Sequence, residues 1–337
     1  ILDTSLNSYP KNLILNQLKI DLTQKKIFKN QFDCKDSTHV VAEILYIVAN
    51  GLAIQENYEA SNFYLNLAKY LNPNFISFET LHANNFFAID EYEEAKKTYE
   101  KMQKYGSVYS WYASKQISSI LIKQEKNEEA VSFLIKTFQK IKKPTVYEIF
   151  DYARFLKNNE KYEESIKHYS EIINIIDSKH SLYGKVFDGR GVAYAQIDQW
   201  KKAEKDLLNS LSASPDDAYV INYLAYSWIE KGINIQKSLN MLKKANELRP
   251  NDGYIIDSLG WAMFKLKKFK ESKKYLQLAV KLMASDPIVN DHYADSLWMN
   301  NDSLQARYYW NYVLQLEDTE EKLKKEIKQK LLFGLKI

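Results

Sequence analysis

The sequence predicts an all-α solenoid of stacked helical hairpins, and three observations carry the prediction. A self-similar block recurs every 34–35 residues, each block shows helical periodicity twice, and turn residues separate the copies. The clearest pair runs from Ala218 to Pro287. There Leu224-Ala225 returns as Leu259-Gly260, Trp228 as Met263, Ser238 as Ser272, Leu242 as Leu276 and Ala245 as Ala279. Pro215 and Pro250 each close a copy.

Each copy reads as two helices. Ile221, Leu224, Ala225, Trp228 and Ile229 fall at i, i+3, i+4, i+7 and i+8, one face of a first helix. After Gly232 the pattern restarts at Ser238, Leu239, Met241, Leu242, Ala245 and Leu248. Pro250 cannot continue that helix, and Asn251-Asp252-Gly253 offers a turn and an N-cap for the next. Small residues at Ala225/Gly260, Ser238/Ser272 and Ala245/Ala279 let helices approach, while Trp228, Leu242 and Leu276 fill the space between them.

In chain order, residues 1–41 form an N-terminal helical cap or degenerate repeat. Leu13, Ile14, Leu18 and Leu22 line one helix face, with Pro10 near its start, and Phe32 to Ser37 breaks the pattern. From Ala42 the repeats are counted by the small residue that opens each second helix: Ser61, Ala95, Ala130, Ser165, Ala203, Ser238, Ser272 and Ala306. The intervals are 34, 35, 35, 38, 35, 34 and 34. An aromatic stands three residues earlier at Tyr58, Tyr92, Tyr162, Trp200 and Phe269. Four residues later come Leu65, Tyr99, Leu134, Tyr169, Leu207, Leu242, Leu276 and Trp310, which the even spacing assigns to the core. The long interval places an insertion around Asp177 to Ser181, cheap in closure entropy, between repeats 1–4 (42–183) and repeats 5–8 (184–318). In 319–337, Leu323, Ile327 and Leu331 mark a capping helix over the last repeat. The alternative is a basic amphipathic helix lying on a membrane or a partner.

The order Leu-Gly, a large residue, a small residue, Leu or Tyr, Ala and Pro resembles the tetratricopeptide repeat. The match is best in 184–318, whereas Ser118, Thr137 and Lys142 depart from the pattern. The resemblance implies a right-handed α-solenoid of about eight hairpins with helical caps. It also places the second, fifth, sixth and ninth residues of each first helix on the concave face. In the last three repeats these are Tyr219, Asn222, Tyr223 and Tyr226; Tyr254, Asp257, Ser258 and Trp261; and Ile288, Asp291, His292 and Asp295. Tyr and Trp give large contact area at small entropic cost, and the three aspartates are expected to face the groove and attract a basic or neutral segment. The carboxylate clamp by which some relatives grip chaperone tails is absent, since Tyr46, Asn50, Leu81, Tyr112 and Gln116 stand at matching places. The runs Asn222 to Tyr226, Asp257 to Trp261 and Asn290 to Asp295 resemble bacterial envelope and lipoprotein-type adaptors of this family. That favours periplasm or envelope over cytoplasm, although no lipidated N-terminal Cys is present.

Composition narrows the function. Of 337 residues 45% are hydrophobic and 27% charged, with net charge +4 and a single cysteine, Cys34, which excludes an internal disulfide. The basic residues are almost all Lys, with arginine only at positions 154, 190, 249 and 307, which argues against bidentate phosphate recognition and a nucleic-acid partner. The nearest approach to a membrane span, Ile44 to Val48, is far shorter than the ~18 residues required. Membrane contact is therefore expected only through the C-terminal basic helix or an N-terminal anchor preceding Ile1. Gly189-Arg190-Gly191 lies within a helix and lacks the context of a phosphate loop. The five histidines are scattered, so neither a metal site nor a catalytic constellation is expected. Glu93-Glu94, Glu128-Glu129 and Glu163-Glu164 suit helix first turns, not acid–base work.

The expected function is a non-enzymatic scaffold without cofactor, binding a protein or an extended peptide segment in its groove. The alternatives are an RNA-binding helical repeat, or the regulatory repeat region of a larger enzyme.

Overall fold

The computed structural model describes residues 2–26 and 31–335, and these contain nineteen α-helices and no strand. Two compact units divide inside the ninth helix, Ile1–Glu148 and Ile149–Ile337. The first holds α1 (Leu2–Ser8), α2 (Leu13–Thr23) and three hairpins: α3 (Ser37–Ile54) with α4 (Tyr58–Leu71), α5 (Ile76–Ala88) with α6 (Tyr92–Met102), and α7 (Ser107–Lys123) with α8 (Asn127–Gln139). Then come α9 (Val146–Asn158) and α10 (Tyr162–Ile173). In the second unit follow α11 (Tyr183–Gln196) with α12 (Trp200–Ala213), α13 (Ala218–Glu230) with α14 (Ile235–Leu248), α15 (Gly253–Lys265) with α16 (Phe269–Leu282), and α17 (Pro287–Met299) with α18 (Ser303–Val313). The last helix is α19 (Glu321–Phe333). Successive helices pack in chain order, from α3 to α8 and from α10 to α19, so each unit is a stack of hairpins, the all-α solenoid the period implies.

The repeat register has a direct packing cause. All eight marker residues, from Ser61 to Ala306, are fully buried, as are the bulky residues four positions on. Two markers also hydrogen-bond across the hairpin: the Ser61 and Ser165 hydroxyls each donate to a carbonyl twelve residues back, Ala49 and Ala153, at 2.8 Å. The equally buried hydroxyls of Ser238 and Ser272 have no partner. At the other end of the size range, Gly260 touches its own hairpin, since a Cβ there would lie 2.7 Å from Leu276 Cγ.

Caps and turns repeat as well. Asp217, Asp252 and Asp286 each accept from two backbone amides at the start of α13, α15 and α17, with Pro287 at the first turn of the last. The paired glutamates do occupy the first turns of α6, α8 and α10. Inside the hairpins the connection passes through a left-handed residue at Glu56, Asp90, Glu125, Glu160, Asp198, Gly232, Lys267 and Asn301.

At the N-terminus α2 lies against α7. Leu13 and Ile14 pack on the cluster around Ala113, and Gln17 Oε1 accepts from the Val108 amide at 3.0 Å. On α3, Val40, Val41, Ile44, Ile47 and Val48 stay exposed, while Ala42 and Ala49 are buried. This helix corrects the reading of membrane-length segments. It spans 18 residues at hydropathy 1.4 with 11% of them buried, long and apolar enough to cross a bilayer by length and composition. Counting an unbroken apolar run stops at Glu43 and Asn50, whereas a helix-wide average absorbs both. Among the described residues, an apolar segment of membrane-spanning length is thus present in α3, away from the C-terminal basic helix.

Candidate partner-binding face

The first helices of the last three hairpins adjoin one another, α13 against α15 and α15 against α17. Their capping aspartates start each helix at the same register, so equivalent positions fall in rows. The structure sorts the twelve sequence-selected residues into three environments.

The outer row is Tyr219, Tyr254 and Ile288. Tyr219 and Tyr254 are 54% and 59% exposed. The Arg249 guanidinium stands 5.5 Å over the Tyr219 ring. Tyr254 and Ile288 border a depression of about 640 Å³, whose other walls include Met283, Pro287, Asp318 and Leu323. Asn222, Tyr223 and Tyr226 are half-buried beside this row, and burial pushes both tyrosine phenols above their ordinary value.

The remaining six, Asp257, Ser258, Trp261, Asp291, His292 and Asp295, are buried and satisfied within the chain. His292 Nδ1 lies 2.9 Å from Asp257 Oδ2, and its ring stacks on Trp261 with centroids 3.9 Å apart and planes at 12°. The Trp261 indole N–H donates to Glu230 at 2.6 Å, and Ser258 Oγ donates to the Tyr254 carbonyl at 2.9 Å. From α19 the Lys330 ammonium reaches all four oxygens of Asp291 and Asp295 at 2.7–2.8 Å. Asp295 also accepts from the Trp310 indole at 3.0 Å.

This pairing corrects one expectation. The aspartates do not form an exposed acidic groove, because Lys330 and His292 already neutralise them. Burial alone would depress the His292 imidazole, but Asp257, with Asp291 and Asp295, outweighs it and holds the ring above its ordinary value. Lys330 behaves likewise: burial pulls down, and Asp295 and Asp291 raise it further. Burial, reinforced by the neighbouring charge of Asp291, pushes the Asp295 carboxyl upward.

Sequence reasoning missed Phe264 and Trp298, which sit three residues beyond Trp261 and Asp295 at equivalent places in α15 and α17. Extending the inward pattern by one turn would have found them; Phe264 stacks on Trp261 with centroids 4.7 Å apart. It also missed Lys330. For Lys330 no local signal exists, since its partners lie 35 and 39 residues away on another helix. Among the described residues no group of His, Cys, Asp and Glu is arranged to hold a metal ion.

No family model matches the chain. The TPR repeat-containing protein PA4667 of Pseudomonas aeruginosa is 26% identical over 200 residues, covering 56% of this chain and 32% of that protein. The chain thus matches about a third of that relative's length. Among solved structures, a MamA fragment from Desulfovibrio magneticus RS-1 is 15% identical with a TM-score of 0.44, covering 52% of this chain and 97% of that one. YrrB, described as a TPR protein with an unusual peptide-binding site, is 14% identical with a TM-score of 0.42, covering 55% and 92%.

Proposed function

Because the chain is a tetratricopeptide-repeat protein, we propose that it is a protein-interaction scaffold without catalysis of its own. The first-helix face of 184–318 docks an extended segment of a partner protein. The observation that carries this is the row of Tyr219, Tyr254 and Ile288, left exposed at one residue per hairpin. Rigid aromatics at a regular spacing suit a polypeptide lying across the helices, and such residues dominate interface energetics. Asn222, Tyr223 and Tyr226 form the wall of this site. The buried set of Asp257, Ser258, Trp261, Asp291, His292 and Asp295 is its floor, fixing the spacing of the row. An RNA-reading repeat fits less well, because the cations beneath the face, Lys330 and His292, are already paired with aspartates and the Arg249 guanidinium at the row is already over Tyr219.

The test is a photo-cross-linker at Ile288, identification of what it captures, and measurement of that partner's affinity in pure form. Tyr219→Ala and Tyr254→Ala should each weaken binding by about 2 kcal/mol, mainly through faster dissociation. Unchanged affinity in the double variant would place the interaction elsewhere.

A further inference from the structure

The segment that follows α19 turns back onto this face. Gly334 adopts φ +74°, and a Cβ there would lie 2.2 Å from Trp298 Cζ2, so the backbone rests directly on the indole. A side chain at this place would meet both the left-handed backbone and the ring. Leu335 then packs against two clusters at once, the one containing Trp261 and Phe264 and the one containing Tyr293 and Leu297. Met299 lines the first of these clusters alongside it, and Trp298 the second. The Arg307 guanidinium donates to the Leu331 carbonyl and stands 5.5 Å over the Trp298 ring, fixing the approach. By contrast Leu332 and Phe333, on the other side of the same stretch, are exposed.

We propose that Gly334 and Leu335 are a tethered occupant of the partner-binding face, seated where a partner presents an apolar side chain directly after a glycine. This rests on the reading that the face receives a partner segment, and it specifies the chemistry of that segment. Two features point the same way. The contact is short: among the described residues beyond α19, Leu335 alone inserts an apolar side chain. And it lies over the C-terminal ends of α15 and α17, the half of the face that the Tyr254–Ile288 row leaves uncovered. Attachment to the end of α19 gives the segment an effective concentration on the order of millimolar. For a segment whose free affinity is about 0.1 mM, that attachment lowers the apparent affinity of any competitor about ten-fold.

The test uses a chain ending at Phe333, which keeps all of α19 with Lys330, and a peptide of residues 333–337, Phe-Gly-Leu-Lys-Ile. Calorimetry should show saturable binding of the peptide to the shortened chain and binding about ten-fold weaker to the full chain. Replacing the peptide's leucine by aspartate should abolish it. The full chain carrying Leu335→Asp should bind the peptide as the shortened chain does, with hydrogen-exchange protection of α19 unchanged; this variant decides the matter if truncation loosens α19. No saturable binding to either opened form, or equal binding to opened and full chains, would overturn the proposal. Neither result bears on capture at Ile288, so the two readings fail separately.

Discussion

Lys330→Met should loosen the end of the second unit, and by more at pH 8 than at pH 6. The ammonium lies 2.8 Å from Asp295 and 2.7 Å from Asp291, with side-chain exposures of 15% for Lys330, 10% for Asp291 and 4% for Asp295. One such pair is worth about 6 kcal/mol gross at an effective dielectric of 20. Desolvation of the lysine takes back several kcal/mol of that, and removing one partner of a buried pair typically costs about 3–5 kcal/mol. Since little solvent screens these groups, we expect a deficit of about 3 kcal/mol at pH 8. The pH dependence follows from Asp295. Burial raises its carboxyl in the folded state, so the fold holds a proton that the unfolded chain releases. That contribution is present below the unfolded carboxylate value and lost as pH rises through the raised one. Lys330 opposes the rise, so without it the raised value moves further up and the loss extends toward pH 8. At pH 6 a proton on Asp295 substitutes for the missing ammonium, and the deficit shrinks. Hydrogen exchange across α17 to α19 is the assay, because stacked repeats need not unfold in one step. A deficit below about 1 kcal/mol, or one no larger at pH 8 than at pH 6, would refute the reasoning.

Gly260→Leu should destabilise by about 1–3 kcal/mol or more, because even its Cβ must displace Leu276 Cγ from 2.7 Å; a urea melt identical to the parent's would show the register to be wrong. Ser165→Ala should cost about 1 kcal/mol by removing the buried hydroxyl's bond to the Ala153 carbonyl, while Ser272→Ala, which removes a hydroxyl with no partner, should be neutral or stabilising; equal effects in exchange or urea experiments would mean the marker serines serve size alone.

What the sequence discloses here is what repeats. Ser61 to Ala306, and Leu65 to Trp310, were assignable because one local contact recurs eight times, and chance cannot mimic its spacing. The caps at Asp217, Asp252 and Asp286 follow from side-chain chemistry within three residues of the chain. The candidate face was legible as a set of positions and illegible as an environment. Asp291 and Asp295 read as attractors for a partner, since nothing near them in sequence announces Lys330. Asp291→Lys, innocuous for an exposed aspartate, would instead set two ammonium groups together in a buried site and should disturb folding. The placement of α2 on α7 was equally hidden, because it depends on a non-repeating contact between Gln17 and the Val108 amide.

The left-handed turn residues have a bearing on how this protein can be altered. Seven of the eight hairpin turns place Glu, Asp, Lys or Asn, not Gly, at positive φ. Each non-Gly residue there carries backbone strain of about 1 kcal/mol that glycine would relieve, less for Asn and Asp. The sites are separated by roughly a full repeat and share no partners, so their effects should combine almost additively. Glu56, Glu125, Glu160 and Lys267 therefore form a set of independent adjustment points. Each lies in the turn of its own hairpin and none belongs to the row of Tyr219, Tyr254 and Ile288, so rigidity could be graded hairpin by hairpin while recognition stays as it is.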